Sequence, residues 1–226
     1  MYGTFSYLPA PLLPAQAFLF GVHIAYLTLT NTLSDQVGNI FIIFVFLFSV
    51  PVKIAQTAFH ILSAQCRLKR YGDGISVVPA EDRSEEALYN GVKNATSIVN
   101  HFIDTKLKEL NLKDTQLSLV GFSQGAMLAI HTALTRSQSC ASVVAYSGRF
   151  LSPSKTAPEI KSKPNICVIH GDADDVVPFS SLDLAVKALK ENGVNVEGRP
   201  IHGLGHIINE EVIKLGVEFI KKNFKN

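Results

Sequence analysis

The chain has 226 residues, room for one large domain or one and a half. Lys plus Arg number 21 and Asp plus Glu 19, a formal net charge of +2. That balance excludes a nucleic-acid binder working through bulk charge, and an acidic disordered chain as well.

Hydrophobic residues make up 47% of the chain, enough for a sizeable core. The three cysteines, Cys66, Cys140 and Cys167, have no metal-ligand spacing and cannot all pair. A reduced, cytoplasmic setting is the simpler expectation.

The averages hide a seam near residue 78. Residues 1–78 hold six charges (Asp35, Lys53, Arg67, Lys69, Arg70, Asp73) of the 40 in the chain, leaving 34 for the rest. Eight of the 14 phenylalanines and four of the six tyrosines also fall before the seam. Two parts are therefore expected: an atypical apolar segment, 1–78, and an ordinary domain, 79–226.

The apolar peak of the first part runs from Ile40 to Val52. As a helix it would span about 20 Å, short of the roughly 30 Å hydrocarbon core, so a membrane span is not expected. No Lys or Arg precedes residue 53, so the basic start of a signal peptide is lacking. Phe41 to Phe48 is apolar on every face and fits a buried strand or a short core helix equally well.

After residue 78 the pattern alternates between helix and strand. Ser84 can cap a helix whose first turn carries Glu85 and Glu86, suited to its positive end. Leu88, Val92, Ala95, Val99, Phe102 and Leu107 then line one helix face. Strands are expected at Gln116–Val120, Ala141–Ser147, Ile166–His170 and Val194–Pro200. Helices are expected from about Ser123 to Arg136, from Ser181 to Glu191, and at the end with Ile213, Val217, Ile220 and Phe224 facing the core. Such alternation implies a mostly parallel sheet with helices on both faces.

The strongest chemical signal is Gly121-Phe122-Ser123-Gln124-Gly125, between an expected strand and an expected helix. A serine hydroxyl becomes a useful nucleophile when it projects from a tight turn toward a base, and flanking glycines make room for that turn. The backbone N–H of Gln124 would lie at the helix's positive end, where it can stabilise an oxyanion. The plainer reading is a strand-to-helix turn with a serine cap.

Two further segments weigh against that plainer reading. Val168 to Pro178 puts Asp172, Asp174 and Asp175 just past a strand's carboxyl end, and Gly203-Leu204-Gly205-His206 lies between the last strand and the last helix. Nucleophile, acid and base in the order Ser, Asp, His, each after a strand, is the α/β-hydrolase arrangement.

GFSQGAMLAI, VIHGDADDVVPF and GLGH before an amphipathic helix resemble the phospholipase/carboxylesterase family, which includes acyl-protein thioesterases. The resemblance covers about residues 79–226. It implies an α/β-hydrolase fold and cofactor-free, metal-free cleavage of ester or thioester bonds in small or lipid-like acyl substrates. It gives Ser123 as nucleophile, Asp174 as the orienting acid with Asp175 second, and His206 as base. His170 is expected to order the strand end, and His23, His60, His101, His131 and His202 to be structural. Asn94-Ala95-Thr96 matches a glycosylation sequon but lies mid-helix.

Upstream the resemblance stops. The family has a His-Gly loop that donates a second oxyanion N–H, then Ala-Pro-Asn-Ala and Gly-Tyr-Gln-Trp-Phe, and none of these stands before residue 79. Gly74-Ile75-Ser76-Val77-Val78 can be encoded so that reading one base later gives Gly-Tyr-Gln-Trp and the start of Phe. Ser63-Ala64-Gln65-Cys66 can be encoded so that the same shift gives Ala-Pro-Asn-Ala. A frame slip near Val78-Pro79 is therefore expected, with few strand pairings from residues 1–78 to the Gln116–Val120 strand, an inactive hydrolase remnant as one alternative function and a hydrolase anchored by residues 40–52 as another.

Overall fold

The computed structural model describes residues 84–224 and, as backbone, residues 41–46. Five parallel strands form one sheet in chain order: β1 (Phe41–Phe46), β2 (Leu117–Phe122), β3 (Ser142–Tyr146), β4 (Asn165–Gly171) and β5 (Val196–Ile201). The helices are α1 (Glu85–Leu110), α2 (Gln124–Thr135), the single turn α3 (Pro153–Thr156), α4 (Ser180–Glu191) and α5 (Glu210–Asn223).

The period-2 pattern explains how the sheet is covered. Leu117, Leu119, Val143, Ala145, Ile166 and Val168 share a core with α1, α2 and α4. The intervening Val120, Phe122, Val144, Tyr146, Cys167 and Ile169 share a second core with Val212, Ile213, Val217, Phe219 and Ile220 of α5. Central strands buried on both faces read as continuous apolar runs, as β2, β3 and β4 do. The one polar row, Ser118 and Ser142, is satisfied by a mutual hydroxyl bond of 2.9 Å.

Local rules set the helix ends. Ser84 Oγ accepts from the Ala87 N–H at 3.2 Å, and Asn111 ends α1 in the left-handed region at φ 53°. Of the expected α1 face, Leu88, Val92, Ala95 and Leu107 are buried, with Val99 and Phe102 partly so; Ile103 joins them. Thr96 of the sequon is buried, with its hydroxyl bonded to the Val92 carbonyl.

Three expectations need correction. The first strand after α1 runs two residues further than expected, to Phe122, because the backbone stays paired with β3 up to the catalytic-type turn. Phe224 is the cap after α5, not part of its core face. In the first third, few pairings to the central strand were expected, yet Phe41–Phe46 pairs with Leu117–Phe122 along its whole length. The apolar run is thus a strand at residues 41–46, which answers the strand-or-helix question there and takes those six residues out of a 40–52 helical anchor. Among the described residues no helix is long and apolar enough to cross a membrane. His23, His60, Cys66 and the two recoded stretches lie outside the described residues.

Candidate active site

Ser123, Asp174 and His206 each follow the carboxyl end of a strand: β2, β4 and β5. Ser123 takes the tight turn between β2 and α2 with φ 55° and ψ −121°, held by its N–H to the Tyr146 carbonyl at 2.9 Å. The turn closes only because Gly121 lacks a side chain: a Cβ there would stand 2.2 Å from the Gly125 carbonyl oxygen. The Ser123 carbonyl accepts from the N–H groups of Ala126 and Met127, which starts α2. Gln124 is the first residue of α2, so its N–H belongs to the helix's positive end.

The loops after β4 and β5 are stapled together. Asp172 N–H donates to the Ile201 carbonyl at 3.0 Å and Ala173 N–H to the Leu204 carbonyl at 3.1 Å. The Asp172 carboxylate accepts from Gly203 N–H at 2.7 Å and contacts His202 Nδ1 at 2.8 Å. Asp172 therefore braces the loop that carries His206, a role not anticipated above. The signal was one of several aspartates in a turn, and only its partner across the fold distinguishes it.

These loops bring three side chains into one chain of contacts. His206 Nε2 stands 3.1 Å from Ser123 Oγ, and His206 Nδ1 stands 2.8 Å from Asp174 Oδ2. The Phe122 ring lies 4.7 Å from the His206 ring, centroid to centroid, and backs it. Asp174 is buried and Asp175 is exposed, so the first of the two expected acids is the one that meets the base.

Burial works to raise the Asp174 carboxyl, but donors from His206, Val177 and Val176 outweigh it and hold the group below its ordinary range. Its Oδ1 takes the Val176 and Val177 N–H groups at 2.9 and 2.8 Å. An ionised Asp174 accepts a hydrogen bond from Nδ1–H, which leaves the Nε2 lone pair facing Ser123 Oγ.

Other reactive groups stand apart from this chain. Burial pushes the thiols of Cys140 and Cys167 up to about 12, so neither offers a thiolate at neutral pH. His131 is buried against Thr96, at 2.9 Å from its hydroxyl, while His101 and His202 are exposed. Lys222 pairs with Glu197 across the fold at 2.8 Å.

The model of the phospholipase/carboxylesterase family matches residues 47–224. The chain belongs to that family. The match begins 32 residues earlier than the expected boundary at 79, taking in the stretch just after β1. Curated family relatives include acyl-protein thioesterase 1 homolog 1 of Dictyostelium discoideum, 30% identical over 133 residues, covering 58% of this chain and 59% of that protein. Acyl-protein thioesterase 1 of Neurospora crassa is 32% identical over 136 residues, covering 56% of each. The chain thus spans less than three fifths of the length of these relatives.

Among solved structures, that of esterase PE8 superposes with a TM-score of 0.66 at 26% identity, covering 80% of this chain and 91% of that one. The fold is that of an α/β-hydrolase. Within this family fold, a buried carboxylate, an imidazole and a hydroxyl in series can move one proton off the hydroxyl and return it to a leaving group.

Proposed function

We propose that the chain is a serine hydrolase that cleaves carboxylic ester or thioester bonds through an acyl-enzyme. The observation that carries this reading is the unbroken series Ser123 Oγ, His206 and Asp174, with contacts of 3.1 and 2.8 Å. His206 Nε2 takes the Ser123 proton as Oγ attacks the acyl carbonyl. The Gln124 N–H stabilises the oxyanion, and His206 then returns the proton to the departing alcohol or thiol. Water, deprotonated by the same nitrogen, attacks the acyl-serine and releases the acid. Asp174 stays ionised and stabilises the imidazolium while it exists.

The substrate class is a small or lipid-like acyl ester. Val176 and Ile207, each about half exposed, lie two residues after Asp174 and one after His206 in the sequence. The test is hydrolysis of p-nitrophenyl butyrate by the purified chain. Release above the buffer rate, lost in Ser123→Ala, is expected; activity that survives Ser123→Ala overturns the nucleophile.

A second reading bears on rate rather than on chemistry. We propose that the stretch before Pro79 is read out of the family's frame and that the chain as written therefore turns over slowly. Supporting it are possible encodings of 63–66 and 74–78 whose shifted frame would give two family motifs in order, and the lack of a His-Gly pair before His170-Gly171; against it stands the family match, which begins at residue 47 in the written frame.

A further inference from the structure

We propose that His170 is a positioning residue for the Asp174–His206 pair, an inference that rests on the serine-hydrolase reading. His170 stands near the end of β4 with its side chain fully buried. Its Nε2 lies 3.0 Å from the Val177 carbonyl and 3.3 Å from Asp174 Oδ2. Both neighbours are acceptors, so the ring proton belongs on Nε2.

The consequence is a closed circuit around the acid. His170 Nε2–H donates to the Val177 carbonyl, and the Val177 N–H donates to Asp174 Oδ1 at 2.8 Å. The Val176 N–H takes the second site on that oxygen at 2.9 Å. On the other oxygen, Oδ2, His206 Nδ1 sits at 2.8 Å and His170 Nε2 at 3.3 Å. A carboxylate offers about four acceptor sites: His206 Nδ1 and the Val176 and Val177 N–H groups take three, and His170 Nε2, whose proton goes to the Val177 carbonyl, stands beside Oδ2. Asp174 cannot turn its carboxylate without losing one of them, so its Oδ2 stays aimed at His206.

The cost of this arrangement argues for its purpose. His170 Nδ1 is buried and has no partner among the described residues. A side chain kept only to fill the space between β4 and the Phe179 ring, whose centroid lies 6.2 Å away, would not need a buried nitrogen left over. What the ring supplies that an apolar side chain cannot is the donor at Nε2.

The test uses the labelling rate of Ser123 by a fluorophosphonate, followed against pH in the full chain and in three variants. Labelling transfers the Ser123 proton to His206 as the Oγ–P bond forms and fluoride leaves, so it reads the pair without a known substrate. His170→Gln puts an amide N–H near the Nε2 position, whereas His170→Asn reaches only to the Nδ1 position and His170→Leu supplies no donor. His170→Gln should label near the unsubstituted rate. His170→Asn and His170→Leu should be slower by at least about tenfold, the scale of a slight misplacement of a reacting group. Without the positive end of the Nε2–H dipole 3.3 Å from it, Oδ2 attracts the charged base more strongly, so the acid limb of the Leu and Asn profiles should move to higher pH.

Equal rates in all three variants overturn the inference. So does slowing that follows lost thermal stability alone, with the acid limb unmoved and Gln no better than Asn. If His170→Leu does not fold, the Gln and Asn pair decides by the same comparison. A chain that never labels at Ser123 overturns the hydrolase reading instead.

Discussion

Gly171 and Leu204 are in backbone contact so close that a Cβ on Gly171 would stand 1.9 Å from the Leu204 carbonyl oxygen. Gly171 ends β4, three residues before Asp174, and Leu204 lies two residues before His206. The acid and the base meet because the two loops touch here. Gly171→Ala must push them apart, since the obstacle is backbone and not a flexible side-chain tip. The variant should lose about 1–3 kcal/mol of stability through overpacking, measured in urea. Its kcat/KM on p-nitrophenyl butyrate should fall by about 10²-fold, the effect of displacing a base by about 1 Å.

Asp174→Asn separates charge from shape. The amide can occupy the same space, but turned to offer its NH2 to His206 it would select the wrong tautomer, with Nε2–H facing Ser123. A loss of about 10⁴ in kcat is expected. The acid dependence of stability should also change. The Asp174 carboxyl is held below its ordinary value in the fold, so its ionised form contributes stability that is fully present above the unfolded value of about 3.9. That contribution is lost as pH falls through the lower folded value. Urea midpoints at neutral and acid pH should therefore diverge less in Asp174→Asn than in the unsubstituted chain.

Much of the site was legible in the sequence because each part obeys a local rule. Gly121 precedes the nucleophile because the turn needs its missing side chain, and the order of Ser123, Asp174 and His206 follows from the strand order. Helix α1 was legible from its cap and its apolar spacing. What could not be read was contact across the fold. Asp172 bonding Gly203 depends on how two loops dock, which no spacing within either loop reports. The strand at Phe41–Phe46 was hidden for a different reason. A run that is apolar at every position carries neither period, and only its pairing with Leu117–Phe122 decides its form.

Ser123 itself stores strain, with φ 55° and ψ −121° in a residue that has a Cβ. Such a conformation costs about 1–3 kcal/mol and is held by the surrounding structure. Glycine adopts it freely. Ser123→Gly and Ser123→Ala should both be inactive, since both lack the hydroxyl, yet they should differ in stability. The glycine variant should be the more stable by about 1 kcal/mol in denaturant titrations. Equal stabilities would show that the turn is relaxed, and that the position does not trade stability for the exposure of its hydroxyl.

The proposed frame slip makes a prediction at the level of nucleotides and one at the level of rate. If it is correct, the codons for Ser63–Cys66 and Gly74–Val78 read, one base later, as Ala-Pro-Asn-Ala and Gly-Tyr-Gln-Trp. Codons that do not give these motifs in the shifted frame overturn it outright. The rate follows from the oxyanion. Gln124 can supply one N–H, while the family's second donor comes from a His-Gly loop that has no counterpart before residue 170. Losing one such donor costs about 10²–10³ in turnover, so slow hydrolysis of a short p-nitrophenyl ester is expected. A chain that starts in the shifted frame, with one base added before codon 79, should regain Gly-Tyr-Gln-Trp-Phe and, where its start also carries the His-Gly loop, turn over faster. The same Ser123→Ala change should then silence both forms. A repaired chain no faster than the written one would mean that the segment before Pro79 contributes nothing to the oxyanion, and the argument from the missing donor would fall with it.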